Sequence, residues 1–63
     1  MSIGENVKAL RTDRGLTQKE LATKVNVAES MICRIERGGI QPSISLAKAL
    51  AGALECELVD VVG

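Results

Sequence analysis

The run LTQKELATKVNVAESMICRIERG, residues 16–38, carries start and stop signals for two short helices with only a few residues between them. Thr17 and Glu20 have the spacing of a capping box, in which a hydroxyl and a carboxylate satisfy amides that a helix start leaves free. Leu16 before the cap and Leu21 at the fourth helical position form a hydrophobic staple that fixes the angle of chain entry. Leu21, Ala22 and Val25 make the buried stripe, so this helix runs to residue 24 or 25. Asn26 follows, and asparagine is second only to glycine in accepting the left-handed conformation that ends a helix. The next helix is predicted over 28–37, with Ala28, Ile32 and Ile35 on one face, Met31 beside them, and Gly38 and Gly39 closing it. Glu29, Ser30, Cys33, Arg34 and Arg37 fall on the opposite, exposed side. A connection this short sends the second helix across the first instead of alongside it.

Upstream, Ser2 and Glu5 repeat the capping-box spacing, Ile3, Val7 and Leu10 recur on one face, and Gly15 supplies the stop. That predicts a helix over 3–14, with Lys8, Arg11 and Arg14 largely off the apolar stripe. Downstream, Ser43 follows Pro42 and caps a fourth helix whose stripe is Ile44, Ala47, Leu50, Ala51 and Leu54. The tail ELVDVVG reads two ways: Leu58, Val61 and Val62 suit a helical turn, while Val59, Val61 and the β-branched content suit a strand. A short helix over 57–62 is preferred. No strand alternation precedes residue 57, and no stretch reads as a repeat or a linker. The expected fold is all-α, five helices in a single domain over 1–63.

Sixty-three residues make one domain, and a chain of that size buries only about 60% of its unfolded surface. Aromatic residues are absent, so Leu, Ile, Val, Ala and Met must supply the core. No apolar run approaches the roughly 18 residues that span a membrane, and no signal-peptide pattern opens the chain, so a cytoplasmic location is expected. The two cysteines, Cys33 and Cys56, lie far apart and there is no histidine, which disfavours a zinc site and leaves no cofactor to expect. Without His, Tyr, a nucleophile elbow or a phosphate-cradling glycine motif, an enzyme is not expected. Net charge is zero, but its distribution is uneven. Residues 1–37 hold seven of the eight basic and five of the eight acidic residues, a balance of +2; residues 38–63 hold Lys48 against Glu55, Glu57 and Asp60, a balance of −2. A chain with one mildly basic half can still dock on phosphate.

Two short helices crossing through a tight turn form a helix-turn-helix, in which the first braces against the DNA backbone and the second lies in the major groove. The stretches LRTDRGLTQKELATKVNV (10–27), SMICRIERG (30–38) and PSISLAKALAGAL (42–54) resemble the lambda-repressor-like DNA-binding domains of the phage Cro/repressor and xenobiotic-response-element type. The likeness covers residues 3–62, with LTQ.ELA and RIE.G as its specific segments. It implies five helices, operator binding as a dimer, and the helix over 28–37 in the major groove of double-stranded DNA. It further implies that Gln18 holds a phosphate and braces the recognition helix, that Glu29, Ser30 and Arg34 touch base edges, and that Arg37 and the amides after Gly38 meet phosphates. Thr17, Cys33 and Gly39 complete the candidate DNA-binding set. Arg11 and Glu36 match a partly buried ion pair tying the first helix to the third.

Four departures from the family pattern point to modest DNA affinity. Ala28 stands where the recognition helix usually has a Ser or Thr cap, and Asn26 replaces the usual turn glycine. The loop Gly39, Ile40, Gln41 lacks basic residues, and Met31 and Cys33 stand where Ser or Thr is common. Glu29 can accept from cytosine N4 but repels phosphate. The neutral net charge, Glu29 and the unbasic loop favour the alternative of a protein-interaction module on the same fold, antitoxin-like or regulator-binding. Gln18, Ser30, Arg34 and Arg37 on one surface favour DNA, so the expected function is a sequence-specific, repressor-like transcriptional regulator. A homodimer is expected through Leu58, Val59, Val61 and Val62, too many apolar residues for a chain this short to hide alone. No small-molecule effector is evident.

Overall fold

The computed structural model describes residues 2–63 and holds five helices: α1 (Ile3–Asp13), α2 (Gln18–Lys24), α3 (Glu29–Glu36), α4 (Ile44–Ala53) and α5 (Leu58–Val62). Their starts follow the local chemistry. Ser2 and Thr17 each form the reciprocal capping box with Glu5 and Glu20, and the Ser43 hydroxyl accepts the Leu46 amide at 3.1 Å. At α5 the Asp60 carboxylate accepts the Glu57 amide at 3.0 Å.

Their ends follow one pattern. After α1, α2, α3 and α4 the chain turns through a residue of positive φ, at Gly15, Asn26, Gly38 and Glu55. In each case two amides fold back on the last turn, as in Leu16 N–H to Arg11 C=O and Val27 N–H to Ala22 C=O. This is the Schellman arrangement, and it satisfies carbonyls the helix leaves open. Glu55 is the one member the chain pattern did not announce, because nothing in a glutamate signals a left-handed turn.

α3 packs against both α1 and α2, while α5 packs on α4 and α1. The core is Val7, Leu21, Ala22, Ile32, Ile35, Leu50, Ala51, Leu54 and Val61, with Leu16 and Val25 packed against it as the staple and stripe require. Among the described residues there is no strand, and the tail is helical.

Three expectations are corrected. Ile44 is not in the buried stripe: it is the first residue of α4, projects past the edge of the core, and is 65% exposed. Ala28 is not on the inner face of α3; it is the extended N-cap, exposed, and Val27 packs against the core in its place. Val61 is no interface residue. It is wholly buried, and the Asn6 side-chain amide donates to its carbonyl at 2.9 Å, joining α1 to α5. Of the apolar tail, Val59 and Val62 remain exposed and Leu58 is half-buried.

Candidate nucleic-acid interface

Glu36 ends α3 and joins three helices through one carboxylate. Arg11 of α1 donates Nε to Oε2 at 2.6 Å and Nη2 to Oε1 at 3.1 Å. Gln18, the first residue of α2, donates Nε2 to Oε1 at 3.0 Å. The remaining Arg11 nitrogen, Nη1, donates to the Leu16 carbonyl at 2.7 Å, between α1 and α2. The Arg11 and Glu36 side chains are 11% and 3% exposed, so the fork is shielded from water and salt. Burial would by itself raise the Glu36 pKa; the hydrogen bonds from Arg11 and Gln18 and the charges of Arg11 and Lys8 outweigh it and hold the carboxyl below its ordinary value. Arg11 is pushed the other way, above its ordinary value, by the same bond to Glu36. Both groups are therefore charged at neutral pH, and α3 is fixed to α1 and α2 at its C-terminal end.

The outer face of α3 is free. Glu29, Ser30, Arg34 and Arg37 are exposed and Cys33 is half-buried, opposite Ile32 and Ile35 in the core. Among the described residues neither Arg34 nor Arg37 has an intramolecular ion pair, so no carboxylate of the chain competes for their guanidinium donors. Ala28 supplies no side-chain oxygen, so the first amides of α3 lack a side-chain cap. Thr17 is exposed, and its oxygen accepts the Glu20 amide at 3.0 Å while its hydroxyl proton stays available.

Gly39 does not offer the free amide expected of it. Its N–H donates to the Arg34 carbonyl at 2.9 Å, and that of Gly38 to Ile35 at 3.1 Å, because both close the Schellman turn. The amides next along, at Ile40 and Gln41, have no intramolecular acceptor among the described residues. Two further residues that shape this end of the molecule, Gly4 and Asn6, were missed. A glycine in the first turn of a capped helix is a weak signal for close packing, since alanine is preferred there; for Asn6 there was no signal.

A helix-turn-helix family model matches residues 7–61. The immunity repressor protein of Bacillus phage phi105 is 43% identical over 63 residues, which cover all of this chain and 44% of that repressor. The chain thus spans less than half the length of that relative. Two solved structures are also similar. The restriction-modification controller protein C.AhdI of Aeromonas hydrophila matches at 32% identity and a TM-score of 0.90, over 94% of this chain and 89% of that one. The biofilm master regulator SinR, solved in complex with DNA, matches at 32% identity and a TM-score of 0.88, over 94% and 95%. With the crossing α2–α3 pair, the bare outer face of α3 and the family-model match, the chain belongs to the helix-turn-helix family.

Proposed function

We propose that residues 1–63 form one DNA-reading domain of a repressor-like regulator. It binds operator half-sites as a homodimer, with α3 of each copy in the major groove. The observation that carries this reading is the outer face of α3, where Ser30, Arg34 and Arg37 stand exposed on a helix held rigid through Glu36. Rigid presentation matters because a bidentate contact to a base edge tolerates little misplacement.

Ser30 and Glu29 lead the helix into the groove, and Arg34, one turn on, forks onto guanine O6 and N7. Arg37 lies in the last turn, where the helix leaves the groove and phosphates are nearer than bases. Thr17, the outer edge of the Gln18 amide, and the free amides of Ile40 and Gln41 meet the backbone on either side, with Cys33 flanking the reading face. SinR, similar over nearly the whole chain, was solved with DNA, and the phage relative is an immunity repressor; both support this reading.

The test compares a site selected from a random duplex pool with random duplex, at two salt concentrations. Arg34→Ala is expected to weaken the selected site far more than random duplex, a loss of about 1–3 kcal/mol of discrimination. Arg37→Ala is expected to weaken both alike and to reduce the salt slope by about one ion per subunit. Equal weakening of the two duplexes by Arg34→Ala would show that this helix does not read bases. A wild-type chain without salt-dependent duplex binding would favour a protein-binding module.

A further inference from the structure

Gly4 is where α1 meets the end of α3. It is buried, and a methyl group on its Cα would overlap the Ile35 carbonyl oxygen and lie 3.0 Å from the Glu36 carbonyl oxygen and 3.2 Å from its carbon. All three are backbone atoms, so no side-chain rotation makes room. Glycine inside a helix is unfavourable relative to alanine, and this close approach supplies the reason for it. The approach is itself favourable, because the first turn of α1 carries partial positive charge and the last turn of α3 partial negative charge.

Seven residues on, two turns along the same side of α1, Arg11 holds the Glu36 carboxylate. α1 therefore grips the last turn of α3 twice, once at its backbone and once at a side chain. The two grips differ in kind. A guanidinium on a flexible stem follows a small shift of its partner, whereas the Gly4 contact sets a minimum distance between the two backbones. Arg37 and the free amides of Ile40 and Gln41 leave directly from that turn.

We infer that Gly4 is a positioning residue: its missing side chain sets how closely the last turn of α3 sits on α1, and so where Arg34, Arg37 and the following amides meet DNA. This rests on the DNA-binding reading above.

The experiment measures wild type, Gly4→Ala and Val61→Ala side by side, at a temperature where melts show all three folded. Val61→Ala trims a core side chain of α5 while keeping the backbone carbonyl that Asn6 bonds, so it weakens the core without adding an atom between α1 and α3. Gly4→Ala is expected to keep its helical signal, to shift amide resonances in 33–41, and to bind the selected duplex roughly tenfold or more weakly, the size of one lost base contact. Val61→Ala is expected to bind as wild type does. A folded Gly4→Ala that binds like wild type, or loses no more than Val61→Ala, overturns the proposal. Should Gly4→Ala fail to fold, the substitution is repeated with Glu55→Gly, which relieves a left-handed residue away from α3. Failure to fold there also overturns it, since Gly4 would then serve folding in general. A wild type that binds no duplex defeats the DNA reading itself; unchanged resonances in 33–41 of Gly4→Ala then overturn the positioning role as well.

Discussion

Burial opposes ionisation of Glu36, yet Arg11 and Gln18 hold its carboxyl below the ordinary value of 4.5. A carboxyl whose pKa is depressed by folding stabilises the native state above its unfolded pKa and loses that contribution as pH falls through the folded value. Glu5 and Glu20, lowered by the Ser2 and Thr17 amides they accept, act in the same direction. Stability is therefore expected to be flat near neutrality and to fall as pH drops below 4.5. Glu36→Gln should make that acid limb shallower while lowering neutral stability by roughly 3 kcal/mol, because it strands the Arg11 charge. Denaturant titrations across pH test both; an acid limb unchanged in the variant would remove Glu36 from the account. Glu55 is the opposite case, a residue whose conformation disfavours the fold. It sits at φ 56, where a non-glycine residue costs about 1 kcal/mol. Arg14 donates to its backbone carbonyl at 3.2 Å, a bond glycine keeps, and the ion pair between their side chains is exposed and weak. Glu55→Gly should raise the melting temperature by several degrees, at about 4–8 °C per kcal/mol for a domain this small. At this scale the chain was legible where partners lie close in sequence, as in Ser2 with Glu5. It was opaque at Gly4 and Asn6, whose roles are set by α3 and α5 packed against them.

Helices were legible because their ends are local. A cap and its third residue lie within one turn, and a left-handed stop needs only the residue itself and the turn before it. The reading weakened at positions where the first helical residue decides the face: Ile44 has the spacing of the stripe but lies beyond the edge of what the stripe packs on. α3 is the element with an unfinished end, since Ala28 holds the extended cap conformation without a side chain able to accept. Ala28→Ser should therefore stabilise the protein by about 1 kcal/mol and slow amide exchange in the first turn of α3. Thermal melts and exchange rates read this directly. An unchanged melting temperature would mean that the first turn of α3 draws its order from packing of Val27 and Ile32 alone.

In the whole molecule, Ile44 and Val59 are each 65% exposed and Val62 40%, while Val61 is enclosed. On the proposed function, the exposed valines of α5 are the part of the tail that a second copy would cover, and recognition of two operator half-sites would supply a reason for one. Sedimentation at micromolar concentration is expected to show twice the monomer mass of 6.7 kDa. Val59→Asp should return the monomer with a melt near that of the wild-type monomer. Val61→Asp should instead unfold the chain, because an unpaired carboxylate in the core costs several kcal/mol. A monomer at every concentration, with and without DNA, would contradict the homodimer.

The sequence by itself determined the first four helices, the caps that start α1, α2 and α4, three of the four left-handed stops, and the residues on the outer side of α3. It left the tail open between helix and strand and set the start of α3 one residue early. Capping, φ preference and helical period act over a few residues, so composition and spacing express them fully. Tertiary structure alone decided that Val61 is core, that α1 and α3 touch backbone to backbone at Gly4, and that Asn6 bonds the Val61 carbonyl. It also decided that the Gly39 amide closes its own helix, leaving those of Ile40 and Gln41 free. Each of these depends on where a distant segment, or the exact end of a turn, comes to rest, and no local propensity encodes that distance.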